Sequence, residues 1–148
     1  MRVWRIVAHN KDPEAAISWS LKTGRIALGW GDIDDLRKLD HVTERVIRGL
    51  LEREYPDVNN RPHGVRSLLK FWNMKIGDLA IVGAGKGRRS HVVRLVGQYE
   101  WNRRGPSRDY NNQRAAVRTS DDANELWQRC RPRVPVKQSI HDAVIRCK

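Results

Sequence analysis

Six tryptophans and a single phenylalanine set the aromatic character of this chain. Trp30 lies between Gly29 and Gly31, and glycines allow positive φ values and the close approach of another group. A large flat ring on such a turn is suited to stacking on a planar partner. Trp19 and Trp101 also fall at the ends of predicted elements, and tryptophan is costly to bury because its N–H needs a partner. Three rings so placed could stack on a flipped nucleobase, or they could close the ends of a small barrel.

The basic residues indicate which planar partner to consider. The chain has 29 Lys and Arg against 17 Asp and Glu, a net charge of +12, and arginine dominates the basic set. Residues 1–85 carry a net charge of +3 and residues 86–148 one of +9. Such a field favours polyanions, nucleic acid first and an anionic membrane second. The side chains expected to contact a nucleic-acid backbone are Lys86, Arg88, Arg89, Arg103, Arg104, Arg108 and Arg114.

Residues that could do covalent or metal chemistry do not form a recognisable set. The five histidines are scattered, and neither they nor Cys130 and Cys147 have metal-ligand spacing. The glycine-rich stretch 83–89 lacks the Ser or Thr that follows the lysine of a P-loop, and it joins two predicted strands. It therefore indicates a hairpin turn, whose basic residues could still contact phosphates. We expect no enzymatic activity, no metal and no cofactor.

Length and cysteine usage bound the class of protein. A chain of 148 residues is long enough to bury the core of one domain, so we expect a single domain over residues 1–148. Two distant cysteines suit reduced thiols in the cytoplasm. The first strand starts almost at Met1 without a signal peptide, and no apolar run is long enough to span a membrane. These features predict a soluble, cytoplasmic protein.

Hydrophobic periodicity predicts the elements that position these residues. Alternation predicts strands at 3–9, 25–29, 79–82, 91–99 and 113–118, and helical spacing predicts helices at 13–19, 41–55, 64–74, 123–127 and 140–147. Asp12 and Asp40 are the expected N-caps of the first two helices. Trp4 and Trp72 fall on apolar faces and are expected in the core. The strand at 91–99 is apolar on both faces, so we predict an α+β fold: a small β-barrel of about five to six strands flanked by helices.

Several segments occur in the order of a known family. They are Trp4, then 25–31 (Arg-Ile-Ala-Leu-Gly-Trp-Gly), 74–82 (Met-Lys-Ile-Gly-Asp-Leu-Ala-Ile-Val), 91–100 (His-Val-Val-Arg-Leu-Val-Gly-Gln-Tyr-Glu) and 114–117 (Arg-Ala-Ala-Val). On these residues, residues 3–118 resemble the EVE-like branch of the PUA-like superfamily. Relatives of that branch include YTH domains and the modified-base-reading domains of some restriction systems.

The resemblance implies a PUA-like barrel that takes one extruded base, often a methylated one, into an aromatic cage. In the YTH relatives an Asn after the first strand and a Trp-Ser pair after the following helix line that pocket, and Asn10 and Trp19-Ser20 stand at comparable places. The resemblance therefore implies that Trp19 and Trp30 stack on the base while Asn10 and Ser20 hydrogen-bond its edge. Trp101 is a further candidate wall of this pocket.

Two other functions remain open at this point. An RNA-processing enzyme or nuclease on the related ASCH-type barrel would need a polar catalytic cluster, for which Lys75 and Asp78 near Arg114 are the candidates. The competing interpretation of Gly77-Asp78 is an ordinary turn at the start of a strand. A basic protein-interaction module would instead bind an acidic partner and would tolerate the loss of Trp19 and Trp30.

Overall fold

In the described part of the chain, six strands form one mixed sheet. The computed structural model describes residues 1–9, 11–84, 88–131 and 144–147, with the backbone alone for 144–146. The strands are β1 (Val3–Val7), β2 (Arg25–Leu28), β3 (Leu79–Gly83), β4 (Arg89–Trp101), β5 (Asn112–Arg118) and β6 (Val144–Arg146). They lie in the order β2-β5-β4-β3-β1-β6, with β1 parallel to β3 and every other pair antiparallel. The sheet curls into a half-barrel flanked by helices, which confirms the predicted α+β class.

A bulge in β4 accompanies this curl. Leu95 pairs with Ala116, but the next paired residue, Tyr99, lies opposite Arg114, so β4 uses four steps where β5 uses two. A Cβ atom at Gly97 would lie 2.9 Å from the Cβ of Ala115, so the bulge brings the two strands close there. Extra residues on one strand bend it and increase its twist, which folds the two halves of this long strand toward each other.

Among the described residues, four α-helices and two short 3₁₀ turns flank the sheet. The helices are α1 (Pro13–Thr23), α2 (Glu44–Glu54), α3 (Arg61–Asn73) and α4 (Ala123–Cys130), and the 3₁₀ turns are Gly31–Ile33 and Leu36–Lys38. Asp12 caps α1 as predicted, because its carboxylate accepts from the backbone N–H of Ala15 at 3.2 Å. The helix continues past the predicted end at Trp19 to Thr23, and Gly24 (φ 67°) ends it in the left-handed region.

Two predictions about the helices are wrong. Thr43, and not Asp40, caps α2, since the helix starts at Glu44 and the Thr43 hydroxyl accepts from Val46 N–H at 3.3 Å. The predicted helix at 140–147 is a strand in its described part. There β6 pairs antiparallel with β1 and supplies partners for the edge of β1 that β3 does not use. The β-branched residues Val144 and Ile145 suit this pairing.

The sheet buries apolar residues on both faces. The larger cluster joins alternate residues of the central strands, such as Ile6 and Leu95, to α1, α2 and α3, and it contains Trp4 at 2% exposure. Trp72 packs against this cluster, so the core expectation holds for both tryptophans. The smaller cluster packs the other residues of β1, β3 and β4 against α4. No helix in the described ranges is long and apolar enough to cross a membrane.

Candidate nucleic-acid interface

Residues 102–111, the arginine loop, connect β4 to β5 and hold three exposed arginines: Arg103, Arg104 and Arg108. Hydrogen bonds tie the ends of this loop together, with Asn102 N–H donating to the Asn111 carbonyl at 2.8 Å and Asn111 Nδ2 to the Asn102 carbonyl at 3.0 Å. From β5, Gln113 Nε2 donates to the carbonyls of Arg104 at 2.8 Å and Tyr110 at 3.3 Å. The backbone of the loop is therefore fixed while the arginine side chains face solvent.

Asp109 ties the arginine loop to the turn after β2. Its carboxylate accepts from the N–H groups of Trp30 and Asp32, both at 3.3 Å, and from the Tyr55 hydroxyl. Its carbonyl accepts from Gly31 N–H at 2.9 Å. Burial and this carboxylate raise the pKa of Tyr55 well above its ordinary value, so the phenol stays a donor. The acidic side chain of the loop is thus committed to internal hydrogen bonds.

Trp30 packs toward α2 and α3. Its backbone has φ 67°, in the left-handed region, and its ring meets Tyr55 edge-on with centroids 5.1 Å apart. The ring also lies against Gly64 of α3, where a Cβ atom would come within 2.6 Å of Trp30 Cε2. Trp101 supports the same turn, because its Nε1 donates to the Gly31 carbonyl at 3.1 Å. The structure therefore brings Trp30 and Trp101 together at one turn, where both have packing roles.

Trp19 differs from the other five tryptophans. Trp4 is buried in the larger apolar cluster. The same cluster is contacted by Trp30, Trp72 and Trp101, and the smaller cluster is contacted by Trp127. Trp19 belongs to neither cluster and lies partly exposed on α1. Among the described residues, no ring contact joins it to Trp30 or Trp101. The described contacts thus bring Trp30 and Trp101 to one turn, and they include no ring contact between Trp19 and either of them.

The Ser20 side chain is buried and lines a small cavity. Its Oγ lies 3.2 Å from Nε2 of the buried His91, whose Nδ1 lies 2.9 Å from Ser90 Oγ. Burial, with a smaller effect of the Arg118 charge, lowers the pKa of His91 to about 4, so its ring is neutral at physiological pH. The cavity of about 10 Å³ lies between α1 and strands β1, β2 and β3, and it is otherwise apolar. Such a volume holds about one water molecule and is too small for a base.

Two other residues that were predicted to contact a nucleic-acid backbone, Arg88 and Arg89, already have partners within the protein. Arg88 is exposed but forms an ion pair with Glu14 of α1. Arg89 donates from Nε to Asn124 at 2.9 Å and lies over the Trp127 ring at 5.4 Å. A phosphate would have to compete with these partners for either arginine. Asn10 and Lys86 lie outside the described residues.

The expectation that Arg114 contacts a nucleic-acid backbone is wrong. Its side chain is 1% exposed and donates to three backbone carbonyls: Nη1 to Phe71 and Met74, and Nε and Nη2 to Gly97 at 3.2 and 3.0 Å. Phe71 and Met74 lie at the end of α3, and Gly97 lies in the β4 bulge. Arg114 therefore caps a helix C-terminus and holds the bulge, since both places leave carbonyls without a regular partner. Burial lowers its pKa, opposed by the charge of Asp78.

A comparison of the sequence with protein-family models assigns the chain to a family. Residues 4–126 match the family model of a domain of unknown function, DUF8426. The chain belongs to the DUF8426 family. No curated protein is detectably similar to it. The DUF8426 match starts at the second residue of β1 and ends within α4, so it includes β2 to β5, α1 to α3 and the whole arginine loop.

Within the DUF8426 region, the cluster suggested for an enzyme is engaged in the fold. The buried carboxylate of Asp78 accepts from Arg2 N–H at 3.0 Å, Lys75 N–H at 3.0 Å and Trp4 Nε1 at 2.9 Å. Burial by itself would raise the pKa of Asp78, but these hydrogen bonds outweigh it and hold the pKa below its usual value. Its contacts are those of a turn that starts β3. The described residues contain no group of three side chains that could hold a metal ion.

Proposed function

We propose that this DUF8426 protein is a nucleic-acid-binding domain, of the PUA-like/EVE type, that accepts a flipped and modified base. In this proposal the arginine loop holds the sugar–phosphate backbone, and Trp19 with Ser20 receives the base. No catalytic step and no cofactor is involved, and the partner is DNA or RNA. The cytoplasmic location stays part of the proposal and rests on cysteine usage alone.

The arginine loop is the observation that carries the proposal. Its three exposed guanidinium groups sit on a backbone fixed by hydrogen bonds at both ends. The carboxylate of Asp109, the one acidic residue of the loop, accepts hydrogen bonds from Trp30, Asp32 and Tyr55. Arginine forks match phosphate oxygens, and a fixed loop loses less entropy on binding. If each arginine neutralises one phosphate, the loop contributes about −2 to −3 to the slope of log K against log salt.

Trp19 supports the base-binding part of the proposal. It is the tryptophan that neither apolar cluster uses, and it precedes Ser20, whose hydroxyl lines the cavity under α1. Stacking of a base on an aromatic ring contributes roughly 1–3 kcal/mol. A methyl group on the base adds up to about 0.8 kcal/mol when it is buried. Because the cavity is water-sized, a base that inserts beside Ser20 has to move α1 away from the sheet.

Binding titrations with labelled oligonucleotides test the proposal. The probes are DNA and RNA strands that carry N6-methyladenine, 5-methylcytosine, 5-hydroxymethylcytosine or no modification, each at two salt concentrations. We expect one modified base to bind several-fold tighter than its unmodified form. Trp19→Ala should remove this preference and leave a salt-sensitive background. Leu21→Ala is the control, because Leu21 is also on α1 and is 44% exposed.

The charge contribution needs a control with the same change in net charge. Replacing Arg103, Arg104 and Arg108 by Gln should reduce the magnitude of the salt slope by about 2–3. Replacing the three exposed arginines of α2 by Gln removes the same charge from another element; they are Arg45, Arg48 and Arg53. An equal loss in both triple variants would contradict a specific role of the loop. If the protein bound oligonucleotides with every base equally well, the proposed recognition of a modified base would be ruled out. If the Trp19→Ala variant still bound an acidic protein tightly, the alternative function as a protein-interaction module would be favoured.

A further inference from the structure

His9 links the two halves of the proposed interface. It follows β1 and precedes α1, the helix that carries Trp19 and Ser20. Its Nδ1 accepts from the N–H groups of Lys11 at 3.0 Å and Asp12 at 2.9 Å. From the arginine loop, Ser107 Oγ lies 2.9 Å from His9 Nε2, and the Tyr110 ring stacks on the imidazole with centroids 4.4 Å apart. We call this set the His9 junction.

The hydrogen bonds of the junction fix the tautomer of His9. Two N–H groups point at Nδ1, so that atom carries a lone pair. Ser107 Oγ donates its single proton to the Arg108 carbonyl at 3.2 Å, so it must accept from His9. The imidazole is therefore neutral, with its proton on Nε2. A proton added at Nδ1 would face two donors and would break the turn into α1.

We propose that His9 is a positioning residue that holds α1 and the arginine loop in register as the neutral Nε2–H tautomer, so that its protonation uncouples base selection from backbone binding. This inference rests on the proposed function. The arginines do not depend on the His9 junction for their charge, whereas Trp19 and Ser20 follow the turn that His9 holds. Acidification should therefore reduce base discrimination much more than the salt slope.

The surroundings of His9 set the direction of its titration. Burial lowers its pKa from the ordinary 6.5; the Asp12 carboxylate raises it and Lys11 lowers it. From the arginine loop, Tyr110 faces the ring, and Arg108 and Asp109 flank the two contacting residues in sequence. Since folding depresses this pKa, the junction contributes fully above pH 6.5. Its contribution is lost as the pH falls below 6.5 toward the folded-state pKa.

The test measures the affinity ratio of modified to unmodified oligonucleotide, and the salt slope, from pH 5.5 to 8. In the wild type we expect the ratio to fall at least about threefold on acidification, while the salt slope changes by less than about 1. His9→Phe keeps a stacking ring but loses all three ring hydrogen bonds, so its affinity ratio should be low at every pH. His9→Asn keeps a short acceptor for the N–H groups two and three residues on, and it should restore part of the ratio without the pH dependence. His41→Gln, at an exposed position, should keep the wild-type profile.

A second measurement reads the junction without any nucleic acid. The ¹⁵N shifts of the His9 ring should report the Nε2–H tautomer at pH 7.5. Amide hydrogen exchange at Lys11 and Asp12 should lose protection as the pH falls below 6.5, after correction for the intrinsic exchange rate. An Nδ1–H tautomer, or protection that does not change with pH, would overturn the inference whatever the protein binds. Absence of base discrimination at every pH, with the expected ring shifts, would instead overturn the proposed function.

Discussion

Gly64→Ala tests whether Trp30 is held by packing against α3. Glycine in the middle of a helix is usually less stable than alanine, so this change should raise the free energy of unfolding by about 0.5–1 kcal/mol. A Cβ atom at position 64, however, would lie 2.6 and 2.8 Å from two ring atoms of Trp30. Overpacking of this kind costs about 1–3 kcal/mol. We therefore expect Gly64→Ala to lower the free energy of unfolding by up to about 2 kcal/mol.

The sign of the effect should reverse when the ring is removed. In a Trp30→Ala background, Gly64→Ala meets no ring and should stabilise by about 0.5–1 kcal/mol, which gives a coupling of roughly 1–3 kcal/mol. Gly49→Ala in α2 is the matched control, since a Cβ there has nothing within 4 Å and should stabilise equally in both backgrounds. Urea unfolding of the six proteins measures all these values. A stabilising Gly64→Ala in the wild type would refute the packing of Trp30 on α3.

Two further predictions concern buried polar side chains. A lysine in the Arg114→Lys variant keeps the charge but cannot reach both the end of α3 and the bulge, so urea unfolding should show a free energy of unfolding lower by about 2 kcal/mol or more. The variant should leave the salt slope of nucleic-acid binding unchanged. A reduced slope would mean that Arg114 contacts phosphate. His91 has a folded-state pKa of about 4, below the unfolded 6.5, so its stabilising contribution is complete above pH 6.5 and is lost toward pH 4. Between pH 7 and 5 the wild type should lose about 2 kcal/mol more than His91→Gln, and equal losses in the two proteins would contradict a buried neutral His91.

Periodicity predicted most of the fold because strand and helix patterns are local. Alternating residues located β1 to β5, and the two apolar faces of β4 anticipated the two clusters that the sheet buries. The strand β6 was missed because its partner, β1, lies at the other end of the chain. Short segments take their structure from such distant pairing as much as from local preference.

Polarity misled the site prediction at β5. Asn112, Gln113 and Arg114 form a polar run that resembles a solvated strand, yet all three are buried and hydrogen-bonded. They donate to carbonyls of turns, of the β4 bulge and of a helix end, and a sequence does not reveal these partners. His9 and Asp109 were missed for the same reason, because their importance comes from contacts between separate loops. The exposure of the arginines in residues 103–108 could be predicted from the sequence, since an exposed arginine needs no distant partner.

The turn at Trp30 uses its glycines for close approach and not for a positive φ, two roles that the sequence left open. Position 30, with φ 67°, is the residue that adopts the left-handed conformation, whereas a Cβ at Gly31 would collide with the side chain of Asn111. The glycines therefore serve close approach of the arginine loop, and the tryptophan accepts a strained backbone that costs about 1–3 kcal/mol. Contacts with Gly64, Tyr55 and Asp109 offset that strain. A ring held in this way is suited to shaping the loop beside it, which leaves Trp19 as the better candidate to stack on a base.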